Sequence, residues 1–259
     1  KSAPGHHRFG ITKRSENLPA LDDAWARNMQ NQMALVLDDL VQKKWARLII
    51  GVQLSYLRTG EWFFRWDPLF AHPGSLRDPY LPMYNAGARA AFCKYLENHA
   101  SNLGCELPTA AQRTRGTFGN LLDGSTPAAR RSVHFNQFIS ERVVDAISKL
   151  SAWVKHYSGR RLLTLTFYGY QFELMRNLPN LSASGHLALA KLLADPNVDA
   201  ITAPYSYGRA RQLSHALYPH DPMDSPALHG KLWIHEDDSR THLAADQESA
   251  KTVGDSQQL

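Results

Sequence analysis

Two glutamates each follow a short apolar run of the sequence, and their position suits acid–base and nucleophilic chemistry. Glu61 comes after the run at 48–54, and Glu236 comes directly after the run at 231–234. Runs of this kind, rich in β-branched residues, are typical of strands buried in a parallel sheet. Active sites of parallel α/β proteins lie at the carboxyl ends of the strands, so both carboxylates are expected at one edge of the sheet.

A pair of carboxyl groups at such an edge has the chemistry that cleavage of a glycosidic bond requires. One carboxylic acid protonates the leaving oxygen, and a second carboxylate acts from the other side of the sugar. When the second group is a nucleophile, the two carboxyl groups lie about 5 to 5.5 Å apart. Two strand ends on opposite walls of one barrel would supply this arrangement for Glu61 and Glu236.

Aromatic residues near the predicted strand ends favour a carbohydrate as the substrate. Apolar faces of sugars stack on aromatic rings, while polar side chains bind the hydroxyl groups. The candidate sugar contacts are Trp62, Tyr168, Tyr205, Trp233 and His229. Two alternatives remain open: the two tyrosines equally suit a cap on the core, and His229 equally suits a loop that binds no ligand.

The elements that must position these residues follow from the hydrophobic periodicity of the chain. The predicted elements are, in order, a helix at 21–45, a strand at 48–54, helices at 83–98 and 135–157, a strand at 162–167, a helix at 185–193, and strands at 200–203 and 231–234. This alternation predicts right-handed βαβ units and a parallel sheet, either in a barrel or in an open doubly wound sheet. A closed barrel needs eight strands, so we interpret the α/β fold as a partial (β/α)8 TIM-type barrel.

The chain is predicted to contain one large domain and a short tail. Residues 1–243 form the barrel domain or a fragment of it, and the polar residues 244–259 are expected to be poorly ordered. The segments 62–82 and 108–131 lack a helical or strand period and are predicted to be loops.

Composition excludes several classes of function. The 259 residues carry a net charge of +5, but the basic residues are spread along the chain, which argues against a nucleic-acid partner. No apolar run is long enough for a membrane span, and no zinc or phosphate motif is found, so no cofactor or metal is expected. Cys93 and Cys105 are interpreted as reduced thiols, and the compartment stays open.

Several segments in order resemble β-galactosidase-like enzymes related to glycoside hydrolase family 42, which are clan A TIM-barrel glycosidases. The segments are Thr59-Gly60-Glu61-Trp62, Phe167-Tyr168-Gly169-Tyr170, Ser184-Gly185-His186-Leu187, Asp199-Ala200-Ile201-Thr202-Ala203-Pro204-Tyr205 and His229-Gly230-Lys231-Leu232-Trp233-Ile234-His235-Glu236-Asp237. The resemblance covers roughly residues 20 to 242. It implies that the predicted strands are the fourth to the seventh of the barrel, with the others supplied by sequence outside this chain.

The resemblance also implies the roles of the two glutamates. Glu61 matches the acid/base at the end of the fourth strand, and Glu236 matches the nucleophile at the end of the seventh strand. The implied activity is retaining hydrolysis of β-linked galactosides or similar glycosides, with a carbohydrate as the partner and a possible homo-oligomer. Better-known members carry Asn directly before the acid/base, whereas this chain has Gly60, so a non-catalytic carbohydrate-binding or remnant barrel is the alternative.

Overall fold

The computed structural model describes residues 21–57, 59–64, 83–109, 112–113, 121, 124–175, 178–205, 218–237, 242–243 and 252–256. Its helices are α1 Asp23–Gln42, α2 Ala86–His99, α3 Pro127–Tyr157, α4 Gln171–Leu174, α5 Leu178–Ala183, α6 Leu189–Leu193, α7 Asp224–Leu228 and α8 Val253–Ser256, and its strands are β1 Gly51–Leu54, β2 Leu163–Phe167, β3 Ala200–Pro204 and β4 Leu232–Glu236. These elements confirm the predicted α/β class. Most of the predicted loop at 62–82 and of the predicted tail lies outside the described residues.

The four strands form one parallel sheet in the order β1-β2-β3-β4. Each strand therefore pairs with the next strand along the chain, and the order does not reverse within the described residues. The parallel sheet predicted from the alternation of helices and strands is confirmed. Parallel register places Leu54, Thr166, Ile201 and Trp233 in one row on one face of the sheet.

The three long helices begin at side chains that cap them. Asp22, Asn85 and Thr126 each accept a hydrogen bond from the backbone N–H three residues later, which satisfies one of the free donors at a helix start. Pro127 occupies the first turn of α3, where its missing N–H costs nothing. The predicted loop at 108–131 is therefore wrong at its end, because α3 begins eight residues before the predicted helix at 135–157.

The main core lies between the sheet and helices α1, α2 and α3. Helix α3 packs against β1 and β2 and contributes a stripe of buried apolar side chains. Members of this stripe that are almost completely buried include Phe135, Ile139, Val143, Ile147 and Val154. Each buried side chain of this size contributes about 1.5 to 3 kcal/mol relative to an exposed one. The core therefore fixes β1 and β2, the strands that lead to Glu61 and Tyr168.

Cys93 and Cys105 form a disulfide bond, which corrects the interpretation of these residues as reduced thiols. Their Cα atoms lie 4.9 Å apart, a separation that a disulfide spans without backbone distortion. The bond links helix α2 to the segment that follows it. The sequence separation of 12 residues gave no sign of this pairing, because local turn geometry decides whether two cysteines of this spacing meet.

We expect that the non-reduced, denatured chain shows no reactive thiol and that reduction exposes two. Closing a loop of 12 residues stabilises the folded state by about 3 kcal/mol, so reduction should lower the melting temperature by several degrees. Thiol titration in denaturant and thermal unfolding with and without reductant measure both effects. The Cys93→Ser, Cys105→Ser double variant should melt like the reduced chain and should not respond to reductant. Two reactive thiols before reduction would contradict the pairing.

Candidate functional site

The turn that carries Glu61 has a strained backbone. Leu57, Thr59, Gly60 and Trp62 all have positive φ angles, at 60°, 55°, 85° and 65°. A left-handed conformation costs an L-residue about 1 to 2 kcal/mol, and it is especially unfavourable for a β-branched or bulky side chain. Such residues persist only where the surrounding structure holds them, and they concentrate at functional sites. The turn after β1 therefore holds Glu61 in a geometry that a relaxed loop would not adopt.

Trp62 is the residue that anchors this turn to the core. Its side chain is 0% exposed, and its indole Nε1 donates a hydrogen bond of 3.0 Å to the carbonyl of Leu54. Its backbone N–H donates to the carbonyl of Tyr56 at 3.0 Å. The ring also contacts the ring of Trp25, with centroids 6.2 Å apart. This burial corrects the prediction that Trp62 stacks on a sugar, because no face of its ring is accessible.

Glu61 itself is half-buried at the carboxyl edge of the sheet, beyond the end of β1. The hydroxyl of Thr59 donates a hydrogen bond to the Glu61 carboxylate, and the Glu61 carbonyl accepts one of 3.0 Å from His186 Nε2. The next aromatic ring, that of Phe63, is also half-buried. Phe63 rather than Trp62 is therefore the aromatic residue with an accessible part beside Glu61.

Glu236 is the last residue of β4, pairs in register with Pro204 and is exposed. Side chains alternate between the two faces of a strand, so Glu236 shares its face with Ile234. Trp233 stands three residues earlier and therefore points to the opposite face. There its indole Nε1 donates to Asp221 Oδ1 at 3.0 Å. The prediction that Trp233 contacts the same sugar as Glu236 is corrected by this alternation.

The two candidate tyrosines have different surroundings. Tyr168 is 0% exposed, and its hydroxyl donates to the carbonyl of Gly185 at 2.7 Å. The open alternative, a cap on the core, therefore fits Tyr168 and the sugar-binding role does not. Tyr205 lies just beyond β3, is half-buried, and packs against His235 with ring centroids 3.5 Å apart. Tyr205 stays a predicted sugar contact at the carboxyl edge.

His229 lies at the other edge of the sheet. It caps the end of helix α7, where Nδ1 contacts the carbonyl of Ser225 at 2.8 Å, and it precedes β4. Glu236 stands at the far end of that strand, about 13 Å away along its axis at the usual rise per residue. The sugar-binding prediction for His229 is therefore corrected, because the residue lies at the amino edge of the sheet and Glu236 at the carboxyl edge.

A buried acidic residue near β4 was not identified from the sequence. Asp221 is 1% exposed, and burial raises the pKa of its carboxyl group to about 6, although the hydrogen bond from Trp233 acts in the opposite direction. The neighbouring His220 is equally buried and lies 3.4 Å from a carboxylate oxygen of Glu173. The segment is attached to β3 because the His220 N–H donates to the carbonyl of Pro204. Asp221 therefore supports Trp233 from beneath the sheet edge.

Asp221 is expected to make stability depend on pH. Folding raises its pKa from 3.8 to about 6, so its stabilising contribution is complete below pH 3.8 and is lost as the pH rises through 6. Asp221→Asn should remove this dependence, changing the difference in unfolding free energy from wild type by about 3 kcal/mol between pH 4 and 7. Urea unfolding at these pH values measures the difference. The exposed Asp224→Asn control should follow wild type, and parallel curves for Asp221→Asn would contradict the assignment.

The structure thus brings Glu61 and Glu236 to the same edge of the sheet, but on its two outer strands. No group of three or more His, Cys, Asp or Glu side chains that could hold a metal ion occurs in the described ranges. None of the helices there has the length and apolarity that a bilayer crossing requires. No protein-family model, curated protein or solved structure matches the chain.

Proposed function

We propose that this chain is the catalytic part of a retaining glycoside hydrolase that acts on β-linked galactosides or similar glycosides. The observation that carries the proposal is the strained turn that holds Glu61 at the same sheet edge as Glu236. Strain of this kind is retained where function requires it. Phe63 beside Glu61 and Tyr205 beside β4 are the proposed aromatic contacts to the sugar.

The proposed architecture is a partial (β/α)8 barrel. Doubly wound sheets reverse their strand order at a switch point, whereas the order β1-β2-β3-β4 continues in one direction, as along a barrel wall. Apolar side chains at both outer strands are exposed, including Ile50 at 78% and Leu232 at 54%. Further strands beside β1 and β4 would cover these side chains, in agreement with a barrel that continues on both sides.

Curvature is a requirement of the proposed mechanism. Three strand-to-strand steps separate β1 from β4, which corresponds to about 14 Å across a flat sheet. A retaining glycosidase needs its two carboxyl groups about 5 to 5.5 Å apart. The sheet must therefore curve as a barrel does, so that Glu61 and Glu236 approach each other across the opening.

In the proposed reaction, the Glu61 carboxyl group donates its proton to the glycosidic oxygen while a Glu236 oxygen attacks the anomeric carbon. The carbon–oxygen bond to the leaving group breaks, and an ester bond to Glu236 forms. Glu61, now a carboxylate, then takes a proton from water, whose oxygen attacks the same carbon and releases Glu236. Two inversions leave the sugar with its original configuration.

Hydrolysis of an aryl β-galactoside, followed by proton NMR of the first-formed sugar, tests this proposal. The expected first product is the β-anomer, which then equilibrates with the α-anomer. Release of the α-anomer first would contradict a retaining mechanism. Absence of hydrolysis across a panel of aryl glycosides would contradict the enzyme.

The exposure of Glu236 favours a second candidate, a carbohydrate-binding domain without turnover. A catalytic carboxylate is usually enclosed by the groups that orient it, whereas Glu236 is exposed in this structure. In that case galactosides would raise the melting temperature without being hydrolysed. Thermal unfolding with and without a non-hydrolysable thiogalactoside, beside the rate assay, separates the two functions.

A further inference from the structure

His186 occupies a ring stack at the base of the candidate site. Its imidazole lies between the rings of Phe63 and Tyr168, with centroid distances of 4.3 and 4.6 Å. The three rings are nearly parallel, since the interplanar angles are 15° and 12°. His186 is 0% exposed, so both of its nitrogens must find partners within the protein.

The hydrogen bonds of His186 define which nitrogen carries the proton. Nδ1 accepts bonds from the backbone N–H groups of Gly169 and Tyr170, at 3.1 and 3.3 Å. Nε2 therefore carries the proton and donates it to the carbonyl of Glu61 at 3.0 Å. Burial lowers the pKa of His186 to about 3, so the ring stays neutral and keeps this pattern at neutral pH.

These bonds join the turn after β1 to the end of β2. The Glu61 carbonyl and the backbone that follows β2 are attached to opposite edges of one rigid ring. A second bond reinforces the contact, because the Phe64 N–H donates to the carbonyl of Ser184 at 3.0 Å. A backbone with several left-handed residues needs such external support to keep a single conformation.

We propose that His186 is a positioning residue that fixes the main chain of Glu61 and thereby aims its carboxyl group at the leaving oxygen. The catalytic part of this inference rests on the proposed function. His186 does not touch the sugar, and its effect is transmitted through the Glu61 backbone. Its contribution should therefore be largest in reactions that need a proton delivered accurately to the leaving group.

The test compares two β-galactosides that differ in their need for protonation. An alkyl galactoside requires the acid, whereas a 2,4-dinitrophenyl galactoside has a leaving group that departs without a proton. His186→Phe keeps a stacked ring but removes both nitrogens. For this variant kcat/KM, which reports the glycosylation step, should fall about 100-fold on the alkyl substrate and less than about 10-fold on the dinitrophenyl substrate.

Two further variants separate positioning from general destabilisation. In His186→Gln the amide still provides one acceptor and one donor, so this variant should recover much of the alkyl galactoside rate. Ser140→Ala removes the hydroxyl that accepts from the Leu187 N–H at 3.1 Å, beside His186 but without contact to Glu61. Its losses should be equal on the two substrates. Equal losses in His186→Phe would overturn the positioning role.

Nitrogen-15 NMR of the histidines supplies a readout that needs no turnover. Nε2 of His186 should carry the proton and Nδ1 should not, with no titration between pH 4 and 8. A titrating ring, or a proton on Nδ1, would overturn the proposal even in an active enzyme. A wild-type chain that hydrolyses neither galactoside would instead overturn the proposed function and, with it, the catalytic role of His186, while the NMR result still decides the hydrogen-bond pattern.

Discussion

Replacing Glu236 with Gln is expected to reduce hydrolysis of an aryl β-galactoside by about 10⁴-fold or more. The amide cannot form the ester bond to the sugar, so the first step of the proposed reaction is lost. Glu61→Gln removes the acid and base and should cost about 10² to 10⁴-fold, with the smaller loss on a dinitrophenyl leaving group. Initial rates of phenol release under saturating substrate measure both effects.

A matched control for these substitutions is Glu97→Gln. Glu97 lies on helix α2 and is exposed, so the same change of charge at this position should leave the rate within about twofold. Circular dichroism and melting temperature should show that all three variants are folded. A near-normal rate in Glu236→Gln would remove the nucleophile assignment, and a near-normal rate in Glu61→Gln on an alkyl galactoside would remove the acid/base assignment.

Trp62→Ala is expected to cause the largest loss of stability. The ring is fully buried and its Nε1 is hydrogen-bonded to Leu54, so truncation leaves a large cavity and an unsatisfied carbonyl. Removal of a buried aromatic side chain costs about 3 to 5 kcal/mol. Guanidinium unfolding followed by circular dichroism measures this difference in unfolding free energy.

The control for this substitution is Trp45→Ala, at a ring that is 54% exposed. It should change the unfolding free energy by less than about 0.5 kcal/mol. A loss below about 1 kcal/mol in Trp62→Ala would mean that Trp62 does not anchor the turn. If Trp62 were instead a sugar contact, its substitution would raise KM and leave stability unchanged.

The sheet was predictable from sequence because buried parallel strands need continuous apolar runs. The four runs correspond to β1 to β4, and their alternation with helices predicted the parallel arrangement that the structure confirms. The start of α3 was missed, although Thr126 followed by Pro127 is a typical helix start. The hydrophobic pattern dominated that prediction, and the polar first turn of α3 carries little of it.

The errors at the candidate site have separate physical causes. Alternation along β4 predicts that Trp233 and Glu236 face opposite sides, and the position of His229 before the strand predicts the wrong sheet edge. Both corrections were therefore available from sequence. The burial of Trp62 was not, because it depends on a positive φ angle in the turn. His186 was also beyond sequence reasoning, since it contacts Glu61 across 125 residues.

The most direct test of the central claim is mechanism-based labelling with a 2-deoxy-2-fluoro-β-galactoside bearing an activated leaving group. The fluorine slows the release of the sugar, so a retaining enzyme accumulates its glycosyl ester. We predict that the intact mass increases by one fluorosugar and that peptide mapping places the sugar on Glu236. Labelling of another residue, or an unlabelled chain that still hydrolyses galactosides, would contradict the proposed mechanism.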